Sequence, residues 1–374
     1  MSRKVDPEAQ KLTMERFMRA GVEAIAEKGI DNVTVQYVSD KAKSSRPTFY
    51  SYFGDINGLL AETWIFKAPM WLEDISNPLV SPSKLSKLEQ RRHRAMSEIL
   101  AASHRIPEVL EVVQPVIAEW WSKYENKSEI EKLQVMWLVA ERLGVSITLD
   151  VDPLVQSAEF IEPALVALGS IKLPKIADKA VLPKLVGSES SDESMEMRLL
   201  SSTIDVISRG GVNAASMARV ARRAQVSTGV MYPRFSGIDS LVENSFEHAI
   251  SGVISENFTT VGAGAFNEDD FGILIMAGLQ PTREVWRNFR IEIHLGAKGR
   301  PSLSKRIQLN LRETNSKVAS KLAPVKRQEL AVGPVPYLMH AVGIGFAVLL
   351  NAGVPVNRVD HRVITKGLTQ LING

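Results

Sequence analysis

Apolar residues recur along the chain at the three- and four-residue spacing of amphipathic helices. Met18, Val22 and Ile25 form one such stripe, with Phe17, Gly21 and Ala24 beside it, and Leu200, Ile204 and Ile207 form another. Gly29 and Gly211 follow these stripes as helix stops, because the residue after a helix commonly takes a left-handed conformation that a Cβ opposes. A second helix is predicted to begin at Thr34 or Ser216, whose hydroxyls can accept a hydrogen bond from an unpaired first-turn amide, with Val38 and Val220 facing inward. A short turn after Ala42 or Ala224 leads to Ser45 or Ser227, which open a third helix running through Tyr50 or Tyr232. Further helices are predicted at 87–103, 129–148 and 153–168, and at 282–295, 335–350 and 357–371. The expected fold class is all-α.

The two stripes belong to a repeat. Phe53 set against Phe235 gives an offset of 235 − 53 = 182, and it holds without a gap from about Met14 to Trp64. Identical pairs at this offset include Arg16 with Arg198, Ile25 with Ile207, Gly29 with Gly211, Val38 with Val220, Ala42 with Ala224, Ser45 with Ser227 and Tyr50 with Tyr232. Two helices joined by a turn of three or four residues make a helix-turn-helix, whose second helix is the one that enters the DNA major groove. The expected division is a helix-turn-helix domain at 1–64, a helical domain at 65–169, a polar, breaker-rich linker at 170–194, a second helix-turn-helix domain at 195–248 and a second helical domain at 249–374.

The run Ala26-Glu27-Lys28-Gly29, then Thr34-Val35, then Ala42 to Phe53, resembles the DNA-binding domain of the TetR-type transcriptional regulators. The second copy is similar through Ser216 to Val220 and Ala224 to Phe235. The resemblance implies that Tyr50 and the start of the third helix approach DNA, while Phe49 and Phe53 hold the helix in its core. Helix N-terminal amides and capping hydroxyls suit phosphate, so Thr34 and Ser45 are candidate backbone contacts. Arg46 is the best candidate base reader, since its planar fork matches guanine O6 and N7, and Lys43, Thr48, Tyr50 and Ser51 complete the first set. Ser216, Arg222, Ser227, Thr228, Tyr232 and Arg234 form the second, with Arg219 and Arg223 nearby. The chain departs from the family pattern at the turn, where Lys43 and Gln225 replace a glycine, at Ser44 and Val226 beside it, and at Ile56 and Ile238, which replace a lysine. Pro233 stands where the first copy has Ser51, and its missing N–H is expected to shorten the third helix.

The family resemblance also implies an effector pocket inside a helical domain. Trp71, Trp120, Trp121 and Trp137 are candidate lining residues, with ordinary core packing as the competing role, and the effector would be a small apolar or amphipathic molecule. Family members dimerise through their two final helices. Here the pairs at about 131–168 and 335–371 would build that bundle within one chain, an intramolecular pseudodimer, with the Gly343-Ile344-Gly345 step permitting close helix approach. The expected partner is a double-stranded DNA operator with two dissimilar half-sites, because Arg46-Pro47-Thr48 and Thr228-Gly229-Val230 differ. The expected function is a ligand-responsive repressor, further homodimerisation staying open. The alternative is a regulator with one working head and a degenerate second unit used for protein contacts.

Composition adds bounds rather than direction. The 374 residues are 45% hydrophobic and 23% charged, as in ordinary globular proteins, and the net charge of +3 permits nucleic-acid binding without demanding it. No cysteine is present, which excludes disulfides and thiolate chemistry, and no two of the six histidines stand at the i, i+4 spacing of a helical metal grip. No cofactor, metal or enzymatic activity is expected: no Ser/His/Asp order, paired-carboxylate motif or phosphate loop occurs. The start, Met-Ser-Arg-Lys, lacks a signal-like apolar region, and the most apolar stretch, 341–354, is short of a membrane span, so a cytoplasmic location without membrane contact is expected.

Overall fold

The computed structural model describes residues 7–80, 85–149, 151, 194–261, 268–321, 334–360 and 362–366. The described residues are helical, with no strand among them. They fall into two compact units, Met1–Lys123 and Tyr124–Gly374. The helix expected at 153–168 and most of the linker at 170–194 lie outside the described residues; of the helix expected at 357–371, residues 362–366 are helical, 357 and 358 belong to a 3-10 turn, and 361 and 367–371 lie outside.

The first unit contains α1 (Pro7–Lys28), α2 (Val35–Lys41), α3 (Arg46–Phe53), α4 (Ile56–Ser76), α5 (Lys87–Ala102) and α6 (Pro107–Ser122). Its head is built on Phe17, Met18, Ala24, Val38, Ala42, Phe49, Phe53 and Leu59, all buried. Phe17 sets its ring edge-on to Phe49 and Phe53 at centroid distances of 5.5 and 5.8 Å, the geometry that aromatic quadrupoles favour. Behind the head, α5 packs on α1 and α6 on α4. Two polar contacts join head to body. The buried Glu98 of α5 accepts from the Ile30 amide at 2.8 Å, and the Arg105 guanidinium bonds the Asp31 carboxylate.

The second unit begins with α7 (Glu129–Thr148) and continues through α8 (Met195–Gly210), α9 (Met217–Arg223), α10 (Ile238–Val261), α11 (Glu268–Gly278), α12 (Glu284–Ala297), α13 (Pro301–Lys321) and α14 (Pro334–Asn351). Its head repeats the first one. Leu199, Leu200, Val206, Val220, Ala224, Met231, Phe235 and Leu241 form its buried core, and each stands 182 residues after one of the eight core residues named above. The joint between head and body is partly repeated too: Arg300 donates to Asn213, the counterpart of Asp31, at 2.5 Å. Gly296 of α12 lies against Val212, so closely that an added Cβ would fall 2.4 Å from a Val212 methyl.

The tightest helix crossing of the second unit joins α7 to α14. A Cβ on Gly144 would lie 1.8 Å from the Ala341 carbonyl oxygen, and one on Gly345 would lie 1.7 Å from that of Ala140. The contact is reciprocal, since 341 − 140 and 345 − 144 both equal 201. Two Ala-x-x-x-Gly steps, one from each half of the sequence, therefore interlock about a local pseudo-twofold. Of the expected Gly343-Ile344-Gly345 step it is Gly345 that makes the close approach; Gly343 instead faces Arg290. Trp137 packs edge-on against Phe346 beside the crossing, at 6.0 Å.

Candidate nucleic-acid interface

In the first unit Thr34 caps α2 by accepting from the Tyr37 amide at 3.2 Å, and Ser45 caps α3 by accepting from the Thr48 amide at the same distance. Pro47 sits in the first turn of α3, where its missing N–H costs nothing and its fixed φ suits the helix. The turn between α2 and α3 closes with two bonds, Lys43 N–H to Asp40 O at 3.1 Å and Ser44 N–H to Ser39 O at 3.0 Å. This double closure is a Schellman stop and requires a left-handed residue, which is Lys43 at φ 49°.

The inward face of α3 is Phe49 and Phe53. The outward face presents Ser45, Arg46, Tyr50 and Ser51, all exposed, with Thr48 half-buried and bonded to the Ser45 hydroxyl at 2.7 Å. Lys43 and Thr34 are exposed on the same loop and the neighbouring cap. Not every cation nearby is available. Lys41 pairs with Glu27 at 2.9 Å and Glu23 at 3.5 Å, and the Tyr37 phenol donates to Glu27 at 2.7 Å, which together hold the Glu27 carboxyl below its usual range. Lys43 and Arg46 have no ionic partner among the described residues. The leading end of α3 thus offers free amides, hydroxyls and two uncommitted positive charges on one exposed face.

The second unit reproduces the scaffold and not the reader. Ser216 caps α9 by accepting from the Arg219 amide at 3.2 Å. The same Schellman closure follows, with Gln225 at φ 56°, Gln225 N–H to Arg222 O at 3.2 Å and Val226 N–H to Ala221 O at 2.9 Å. The α-helix expected to run from Ser227 through Tyr232 is absent. A single 3-10 turn at Thr228–Val230 stands in its place, followed by turn residues. Ser227 makes no capping bond. The cause lies at Pro233: it has no N–H for the Gly229 carbonyl, its ring opposes that carbonyl, and it biases Tyr232 away from helical angles. Met231 and Phe235 nevertheless fill the core places of Phe49 and Phe53, held by a Phe235 N–H to Met231 O bond of 2.9 Å.

The remaining second-unit candidates, Ser227, Thr228, Tyr232, Arg222 and Arg234, are all exposed. Arg234 spends a guanidinium N–H on the Val230 carbonyl at 2.7 Å, and Arg223 is paired with Asp205 at 2.7 Å. Arg222 keeps no ionic partner among the described residues.

The four tryptophans proposed for a pocket are divided between the two units. Trp71, Trp120 and Trp121 are buried in the first unit, whereas Trp137 is buried in the second. Trp71 donates to His93 Nδ1 at 3.1 Å, and Trp120 points its N–H at the Ser76 hydroxyl at 3.4 Å. The joint residues Glu98, Arg105 and Arg300 escaped the sequence reading. Their signal was the alignment of Asp31 with Asn213, two polar side chains beside buried Ile30 and Val212.

A family model described as bacterial regulatory proteins, tetR family, matches the chain twice, over residues 17–63 and 199–244. No curated protein matches it. Each match spans a head from its first helix to the start of its fourth. No helix among the described residues is long and apolar enough to cross a membrane.

Proposed function

From the premise that this chain is a TetR-family DNA-binding regulator with two tandem N-terminal units, we propose that it is a ligand-responsive repressor whose two heads read dissimilar half-sites. The first head is the principal base reader, through Arg46 and Thr48, with Thr34, Lys43, Ser45, Tyr50 and Ser51 on phosphates. The second head contributes mainly phosphate contacts from Ser216, Arg222, Ser227, Thr228 and Tyr232. The observation that carries this reading is the pairing of eight equivalent core positions with an α-helical third element in one head only. A homodimer is bound by symmetry to a palindrome, and a fused pair with unequal heads is not.

The α7–α14 crossing supports an intramolecular pseudodimer, because it joins equivalent Ala-x-x-x-Gly steps from the two halves of one chain. Selection from random duplexes at two salt concentrations, with chain stoichiometry measured on the selected site, tests the proposal. One chain on an asymmetric site is the expected outcome, and two chains on a perfect palindrome would refute it. The missing helix also favours a second reading, in which the second head no longer binds DNA and serves protein contacts. Unchanged DNA affinity and salt slope after Arg222→Ala and Tyr232→Ala together would establish that reading.

A further inference from the structure

Within the second unit, α12 and α14 bring three basic side chains together, none of them paired with an acid among the described residues. Arg290 lies with its guanidinium over the Trp286 ring, 4.5 Å from the centroid, and against Gly343, where a Cβ would come within 3.0 Å of Nη2. His294, one turn on, donates from Nδ1 to the Arg290 carbonyl at 2.7 Å, which leaves its Nε2 as an acceptor. His340 of α14 fills that acceptor from its own Nε2 at 3.1 Å.

The nearby Arg287 differs. It spends its guanidinium on the Gly278 and Gln280 carbonyls at 3.3 and 2.5 Å. Among the described residues Arg290 has no such partner, and its Nε is shut off from solvent and unbonded. Burial, and then the charge of Arg287, pushes Arg290 down to about 9. Burial likewise takes His294 down to about 4 and His340 well below its usual range, with the Arg290 charge acting against both. Among the described residues no carboxylate acts on any of the three. The unit buries two carboxylates, Glu141, pushed up to about 8 by desolvation, and Glu292 of α12. Desolvation dominates at Arg290 and His340, and each keeps some accessible surface.

A buried guanidinium without a counter-ion is costly, and an anion that brought one would recover that cost. A metal ion is the wrong complement, because Arg290 repels it. The residues flanking His340 along α14, Leu338, Met339, Ala341 and Val342, are apolar and buried. We propose that α12 and α14 hold a binding site for a small organic acid, its carboxylate seated on Arg290. The planar guanidinium matches a carboxylate in two parallel bonds, and the apolar remainder of the ligand would lie along α14 and Trp286.

The site's regulatory consequence rests on the repressor reading above; its binding chemistry does not. Six residues beyond Arg290, about 9 Å along the helix, α12 meets the second head through Gly296 on Val212, and Arg300 then reaches Asn213. A ligand that shifts α12 therefore acts directly on the joint of that head.

The test uses the full chain, Trp286 emission and titration calorimetry, with decanoate and benzoate as probes and decan-1-ol, inorganic phosphate and Zn²⁺ as controls. At least one carboxylate should bind once per chain. Arg290→Gln should weaken it about tenfold to a hundredfold. Arg290→Lys, which keeps the charge, should recover part of the loss, separating recognition from misfolding. No binding by either carboxylate, equal binding of decan-1-ol, unchanged affinity in Arg290→Gln, or binding of phosphate or Zn²⁺ in place of the acids would overturn the site. Carboxylate binding through Arg290 without any change in DNA affinity would establish the site and remove its effector role.

Discussion

The two heads differ less in what they bury than in what they show. Eight core positions recur at a fixed offset, and the α2–α3 turn and its counterpart close with the same pair of backbone bonds. The exposed element on top is an eight-residue helix in one head and a 3-10 turn in the other. Core packing alone therefore does not dictate the reader. Met231 and Phe235 reach their places from a chain without α-helical bonding between them and Ser227, whereas Phe49 and Phe53 reach theirs from a capped helix. What separates the two is where the proline falls: Pro47 in the first turn, Pro233 six residues into the segment that Thr228 opens.

The largest effects should come from the shared core. Phe49→Ala is expected to cost about 3–5 kcal/mol of stability and Met231→Ala about 2–5 kcal/mol. Only the first should also abolish sequence-specific binding. Urea unfolding and DNA titration of both variants check this, and equal losses of specificity would erase the distinction between the heads. Next in size, Arg46→Ala should weaken operator binding by about 1–3 kcal/mol and relax preference at one base pair. Arg234→Ala should change binding little, since its guanidinium already serves the Val230 carbonyl. The opposite order, measured on the selected duplex, would reverse the assignment of principal reader.

A smaller change should convert one head towards the other. Pro233→Ala combined with Gly229→Ala restores a donor and helix propensity, and is expected to add helical circular dichroism and about 1 kcal/mol of stability. No gain in helicity would move the cause away from the proline. The smallest effect concerns the turn the heads share. Lys43 and Gln225 occupy left-handed angles that cost a side chain about 1–2 kcal/mol, offset in part by the chain freedom that glycine loses on folding. Lys43→Gly and Gln225→Gly should each stabilise by about 0.5–1 kcal/mol, read as a shift in thermal midpoint.

The heads were legible because repetition amplifies a weak pattern. A stripe such as Leu200, Ile204 and Ile207 is ordinary alone and informative when each member has a counterpart 182 residues earlier. Caps at Thr34, Ser45 and Ser216 followed from local chemistry, and the structure places a bond at each. The loss of the second reading helix was foreshadowed at Pro233 but underestimated. An eight-residue helix has few interior bonds, so removing one donor and adding Gly229 ends it rather than trimming it. The tryptophans show the other limit. Aromatic content is visible in a sequence, but the unit that Trp137 belongs to is decided by the crossing of α7 with α14, far along the chain. The Arg290 cluster was illegible for the same reason: His340 comes from a different helix, 46 residues after His294.

The crossing of α7 with α14 carries a consequence for biosynthesis. Residue 148 is translated 186 residues ahead of residue 334, a delay of roughly 10 to 40 s at ordinary elongation rates. Throughout that interval the Ala140–Gly144 face has no mate, and the nascent polypeptide must carry a bare apolar helix past the ribosome exit. A gene cut between the halves would leave each product with half of this lock, so expressing residues 195–374 alone should give an aggregation-prone fragment that co-expressed residues 1–151 rescue.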